Sequence, residues 1–266
     1  MFETFENEGP RRTKTGATGG LPAPGIMDAV TFARTRLGFV PDEKQRCVLE
    51  STAKRGILNC SRQWGKSTVT AAKAVHRAYT RPGSLVLVAG PCERQSAEFL
   101  RKASGMVRRL HIKPRGDGDN ATSLLFPNGS RIVGLPGTEA TVRGFSAVSL
   151  IVIDEASRVK DEMYQSLRPM LAVGDGDLWL MSTPNGQSGF FYEVWAGGDE
   201  EWYRVSATAE ECSRIPKEFL EEERRAKTAA YFEQEYMGRF TAHEGAYFDP
   251  ALIEAAVDLT IPGLEL

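Results

Sequence analysis

Four apolar runs punctuate the chain: GILNC (56–60), SLVLVAG (84–90), VSLIVID (148–154) and DLWLMST (177–183). They lack the apolar–polar alternation of a half-exposed strand, so they read as strands buried on both faces of a parallel sheet. Segments 67–80, 93–110 and 160–171 lie between them and carry apolar residues at helical spacing. Two further helices precede the first run. One is MDAVTFARTRLGF; the other is FVPDEKQRCVLESTAK, starting near Pro41-Asp42, where a proline and a capping aspartate fit a helix N-terminus. Strands alternating with helices predict an α/β fold with a mainly parallel sheet flanked by helices. In TSLLFPNGSRIVGL two short strand runs surround Asn128-Gly129, the signal of an inserted β-hairpin.

After Thr183 the pattern changes. Residues 188–250 are aromatic and acidic, with helices expected in IPKEFLEEERRAK and AAYFEQEYMGRF, and read as a smaller subdomain beside the sheet. Residues 1–25, rich in Gly, Pro, Thr and charge, read as a flexible N-terminal arm. The expected organisation is an arm (1–25), a core (26–187), a lid or linker subdomain (188–250) and a short remainder (251–266).

Composition narrows the class. The chain has 266 residues, 41% hydrophobic and 26% charged, enough for one large domain or a domain with an appendage. No apolar run approaches the ~20 residues that span a bilayer, and the charged N-terminus is no secretory signal. Four cysteines (Cys47, Cys60, Cys92, Cys212) show no C-x-x-C spacing and there are three histidines. That leaves no zinc pattern, and the thiols read as reduced and cytosolic, with one disulfide pair as the alternative. A net charge of −2 argues against a uniformly basic nucleic-acid binder. Its distribution is lopsided: residues 1–115 hold 21 Lys and Arg against 9 Asp and Glu, residues 116–266 hold 12 against 26. Such asymmetry fits a local nucleic-acid face or complementary subunit surfaces, unless the halves of the chain do not map onto faces.

Chemistry concentrates in three places. CSRQWGKST (60–68) lies between a strand and a helix, the setting of a phosphate-binding loop. Gly65, Lys66 and Ser67 match that loop: backbone N–H groups wrap phosphates, the lysine reaches the β/γ oxygens, and the hydroxyl ligates Mg²⁺. Cys60 stands where the first glycine is usual. Ser61, Arg62, Gln63, Trp64 and Thr68 complete the nucleotide-binding stretch. LIVIDEAS then ends a buried strand in Asp154-Glu155, which puts Asp154 beside the Mg²⁺ and leaves Glu155 to polarise an attacking water. DLWLMSTPNG ends a third strand in Ser182-Thr183, whose hydroxyls fit a sensor of the γ-phosphate; a polar strand end before a turn is the plainer alternative.

Together, S-R-Q-x-G-K-S-T, hydrophobic-D-E-A and S-T-P resemble the ATPase domain of the large terminase subunit of tailed bacteriophages, DNA-packaging motors related to helicases. The resemblance runs from about Pro41 to Phe248 and implies a RecA-like ATPase of the additional-strand, catalytic-glutamate class. It implies ATP and Mg²⁺ as cofactors and double-stranded DNA, bound without sequence preference, as the substrate to be moved. The portal protein and the small terminase subunit are implied as partners, with a homo-oligomeric ring when assembled and the host cytoplasm as location. In this family an arginine within the loop is a hallmark, and Arg62 matches it. Gln45 resembles an adenine-reading glutamine, against the alternative of a solvated helix residue. Arg143 resembles an arginine finger, against a structural ion pair. In PCERQSAEFLRKA and beyond, Arg101, Lys102, Arg108 and Arg109 are DNA-contact candidates, against a merely solvated basic helix.

Such subunits normally continue into a nuclease domain with clustered carboxylates. The chain stops at Leu266, where Asp249 and Asp258 are isolated, so the reading is of the motor domain alone, with 251–266 as the start of a linker to a nuclease domain absent from this chain. A helicase-like enzyme, a non-hydrolysing assembly module and, less well fitted, a small-molecule kinase are the alternatives.

Overall fold

The computed structural model describes residues 27–116, 118, 122–135, 144–197, 200–241 and Ala256. Helix α1 (Ala29–Thr35) starts where the Asp28 carboxylate accepts from the Val30 and Thr31 amides. Helix α2 (Glu43–Glu50) starts at a reciprocal cap: Asp42 accepts from the Gln45 amide and the Gln45 side chain accepts from the Asp42 amide. Strand β1 (Arg55–Cys60) leads through the 61–65 loop into α3 (Lys66–Thr80). Then follow β2 (Leu85–Ala89), α4 (Glu93–Arg109), the hairpin β3 (Ser123–Leu125) and β4 (Arg131–Gly134), and β5 (Leu150–Asp154). The remaining elements are α5 (Asp161–Leu167), β6 (Asp177–Ser182), α6 (Gly189–Ala196), β7 (Trp202–Ala207), α7 (Lys217–Ala226) and α8 (Ala229–Glu235).

The strands form one sheet in the order β3-β4-β2-β5-β6-β1-β7. All neighbours are parallel except β3 against β4. Strand β6 therefore separates the loop strand β1 from the acidic strand β5, with Asn59 level with Ser182 and Asp154 level with Met181. Alternate residues of the buried strands divide between two cores. Leu58, Val86, Val88, Val152, Trp179 and Met181 pack with side chains of α1 to α4. Ile57, Leu87, Ile151, Ile153, Leu178 and Leu180 pack with α5 and α6. This two-sided burial is why the four runs are apolar without alternation.

Two expectations change in detail. The hairpin is built into the sheet, because β4 pairs with β2 along its length and β3 forms the edge. The sheet also does not end before residue 188: β7 pairs in parallel with β1 from Arg55↔Trp202 to Cys60↔Ala207. Among the described residues of the 188–250 stretch, a separate small core follows β7, in which Ala209, Leu220, Phe232 and Tyr236 pack together.

Candidate functional site

Parallel strands place all their carboxyl ends along one edge, and ligands of open α/β sheets bind in the crevice outside that edge. Here Cys60, Asp154 and Ser182 end β1, β5 and β6 on that edge. A cleft of about 750 Å³ opens beside them, lined by Gln45, Arg62, Gln63, Gly65, Lys66, Ser67 and Thr68 from the loop side. Gln95, Lys102, Glu155, Arg158 and Arg214 line the rest, with Phe39 and Val40 at its apolar rim.

The loop turns through two left-handed residues, Gln63 (φ 63°) and Gly65 (φ 104°), before α3 begins. At Gly65 the dihedral demands glycine, and a Cβ there would lie 2.8 Å from the Gln45 Nε2 and push on that amide. Cys60 and Ser61 are buried at the end of β1, and burial pushes the Cys60 thiol up to about 12, which leaves it inert. The Trp64 indole is buried in the core, while its backbone carbonyl accepts from Gln45 Nε2 at 2.8 Å and from Arg214. Lys66 is buried, with its Nζ donating to the Cys60 and Ser61 carbonyls at 2.8 and 2.9 Å. Burial pushes its ammonium below the usual lysine range, against the pull of Glu155 and Asp154.

Ser67 Oγ donates to Asp154 Oδ2 at 3.0 Å, so hydroxyl and carboxylate meet across two strands and a helix start. Burial, then repulsion from Glu155, pushes the Asp154 carboxyl up to about 6. A divalent cation would reverse that shift, and these two hard oxygen donors suit Mg²⁺, which takes few protein ligands beside waters and phosphates. Among the described residues, no group of three or more His, Cys, Asp or Glu is placed to hold a metal ion. Glu155 has φ 52°, left-handed for a residue with a side chain, at a cost of about 1–3 kcal/mol. That kink ends β5 and starts the 3₁₀ turn Ala156–Arg158. Ser182 Oγ lies 2.7 Å from Ser157 Oγ, which also donates to the Thr183 carbonyl at 2.8 Å.

Sequence reasoning missed three side chains here. Arg158, one turn beyond Glu155, reaches Glu155 Oε2 (3.2 Å) and Thr183 Oγ1 (3.3 Å) with Nη1 and Glu235 Oε1 (3.0 Å) with Nη2. Glu235, buried on α8, accepts from Arg62 Nε on its other oxygen at 2.6 Å. That contact pushes the Arg62 guanidinium further above its already high ordinary value. Arg214 enters beside the loop. For Arg158 a signal existed, its i+3 spacing from Glu155; Glu235 and Arg214 lie far along the chain in ordinary acidic and polar surroundings.

Other expected residues scatter. Gln45 spends one N–H on Trp64 and one lone pair on the Asp42 amide, which leaves a second N–H and a second lone pair at the cleft. The four expected DNA-contact residues on α4 do not share a surface, because 101 and 108 fall on one helical stripe and 102 and 109 on another. Arg101 is exposed and paired with Glu98, and Arg108 is exposed. Lys102 lines the cleft, and Arg109 donates to the Leu37 and Gly38 carbonyls beyond α1. Arg143 lies outside the described residues.

Residues 57–255 match the family model of the terminase large subunit, T4likevirus-type, N-terminal. The terminase large subunit of Thermus phage G20c is 27% identical over 248 residues, covering 80% of this chain and 51% of that protein. That of Escherichia phage T5 is 26% identical over 247 residues, covering 86% and 53%. The chain thus spans about half the length of these relatives. Among solved structures, the large terminase ATPase domain of Thermus phage P74-26 superposes with a TM-score of 0.69 at 24% identity, covering 79% of this chain and 97% of that one. The large terminase of the thermophilic bacteriophage D6E, in complex with ADP, gives 0.66 at 16%, covering 76% and 54%. At these identities the superpositions establish the fold.

Proposed function

Since the chain belongs to the T4-like-virus type of terminase large subunits, in their N-terminal part, we propose that it is an ATPase whose turnover drives double-stranded viral DNA into a procapsid. One observation carries the reading: the loop lysine, the Ser67–Asp154 pair and Glu155 converge on one cleft at the carboxyl edge of the sheet. A nucleotide switch or storage module has no need of the second carboxylate, which disfavours the non-hydrolysing alternative.

In this reading Lys66 and the loop amides hold the ATP phosphates, and Gln45 reads adenine with its remaining donor and acceptor. Ser67 and Asp154 would hold Mg²⁺, which when bound neutralises charge on the β/γ oxygens. Glu155 orients a water in line with the γ-phosphoryl and accepts its proton. Arg62 in cis, or Arg143 from a neighbouring copy, stabilises the transition-state charge. Ser182 and Thr183 pass the loss of phosphate to the lid, whose extent we take as the segment after β7. Repeated around a ring at the portal, with the small subunit as a further partner in the host cytoplasm, that motion would move duplex DNA by its backbone, without sequence readout.

Phosphate release from MgATP by the 266-residue chain tests the reading. The expected result is Mg²⁺-dependent multiple turnover, removed by EDTA and lost with nucleotide affinity in Lys66→Ala. A chain that binds MgATP and releases no phosphate above background belongs instead to the non-hydrolysing class.

A further inference from the structure

Arg158 contributes its two terminal guanidinium nitrogens to four acceptors drawn from three parts of the molecule. Its Nη1 lies 3.2 Å from Glu155 Oε2, 3.3 Å from Thr183 Oγ1 and 3.5 Å from Ser157 Oγ. An Nη nitrogen carries two hydrogens, so three acceptors cannot all be served well at once. They compete. Its Nη2, 3.0 Å from Glu235 Oε1, is fixed to α8, and Glu235 is held from the other side by the loop residue Arg62. The Glu235 side chain is 3% exposed, so this anchor is buried and resists rearrangement, whereas the Glu155 side chain is 33% exposed. The guanidinium plane is rigid, so any displacement of α8 or of Thr183 moves Nη1 relative to Glu155.

From this arrangement we infer that Arg158 is a positioning residue for the general base. It holds Glu155 Oε2, leaving Oε1 to receive the proton of water, and it sets the direction of that carboxylate according to where Thr183 and α8 stand. The inference rests on the ATPase reading and deepens it: the β6 end and the lid act on hydrolysis through one guanidinium. Arg158 acts through Glu155, not on the phosphates.

The test compares the parent chain with Arg158→Ala and Arg158→Lys by steady-state phosphate release and by equilibrium binding of MgATP. Folding is checked by thermal melting. Misplacing a reacting group by about 1 Å costs on the order of 10²-fold in rate, so Arg158→Ala should lose roughly 10- to 100-fold in kcat. Its MgATP Kd should stay within about threefold of the parent. Arg158→Lys keeps a charge to sit beside Glu235 and should recover part of the rate, though not all, because one ammonium cannot span both carboxylates. In single-turnover measurements, Arg158→Ala should have little further effect in a Glu155→Gln background. An equal loss in both backgrounds, or a Kd that weakens in step with kcat, would show Arg158 acting directly on nucleotide and overturn the inference. So would a folded Arg158→Ala or Arg158→Lys protein with both constants at parent values. A parent chain without MgATP turnover fails the ATPase reading itself, whereas an active parent with an equally active Arg158→Ala fails only this inference.

Discussion

At Lys73, midway along α3, a buried ammonium donates to the carbonyls of Val48 and Ser51 at 3.0 and 2.8 Å and lies 4.4 Å from the Trp179 ring. These contacts close the C-terminal end of α2 but do not repay the desolvation: burial, then repulsion from Arg77, brings its pKa down to about 8. Between about 8 and the ordinary lysine value near 10.4 the unfolded chain binds the proton that the folded chain has released. Stability from this group therefore rises with pH through that window, and the penalty of the buried charge is fully present below it. Relative to Lys73→Met, the parent should gain about 2 kcal/mol between pH 7 and pH 10, read from denaturant unfolding at each pH. A difference between the two proteins that stays flat with pH would place the proton elsewhere. The same scale shows what could be read in advance. Lys66, Ser67, Asp154 and Glu155 were legible because their chemistry is local, a loop between strand and helix or the last residues of an apolar run. Glu235 was not, because it becomes a site residue only when α8 folds back to meet Arg62 and Arg158.

Among the elements, β1, β2, β5 and β6 were legible as unbroken apolar runs, since burial on both faces leaves no place for polar residues. Strand β7 escaped because it is an edge: Tyr203 and Arg204 are half-buried and Ser206 is exposed, which breaks the run. Helix α2 was legible from its cap, yet the same Asp42–Gln45 cap also positions the Gln45 amide under Trp64. The central strands tolerate little change in volume. Gly56 of β1 stands level with Trp179 of β6, and a Cβ there would lie 2.5 Å from the indole Cε3 and 2.6 Å from Cδ2. The indole is fully buried and cannot swing away. Gly56→Ala should destabilise by about 1–3 kcal/mol, as overpacking does, and lower Tm by at least roughly 2 °C. An unchanged Tm would mean that the sheet opens at this point more easily than its packing indicates.

For the whole molecule, the sheet order converts three separated stretches of sequence into one edge. The loop strand and the acidic strand flank β6, so Ser182 and Thr183 stand between the 61–65 loop and Asp154. The pieces were readable one by one; their junction through Arg158 and α8 is a property of the folded chain. The lopsided charge of the two halves remains a statement about sequence, because the basic residues of α4 divide between the cleft, the end of α1 and solvent. In the proposed function this edge hydrolyses ATP with Glu155 as the base. The measurement that tests it most directly is single-turnover hydrolysis of MgATP by Glu155→Gln, alongside its equilibrium affinity for MgATP. An amide preserves size and polarity and removes the proton acceptor, a contribution of about 10²–10⁴ in rate. Affinity should stay near that of the parent while hydrolysis slows by that factor; hydrolysis at close to the parent rate would remove Glu155 from the role of base.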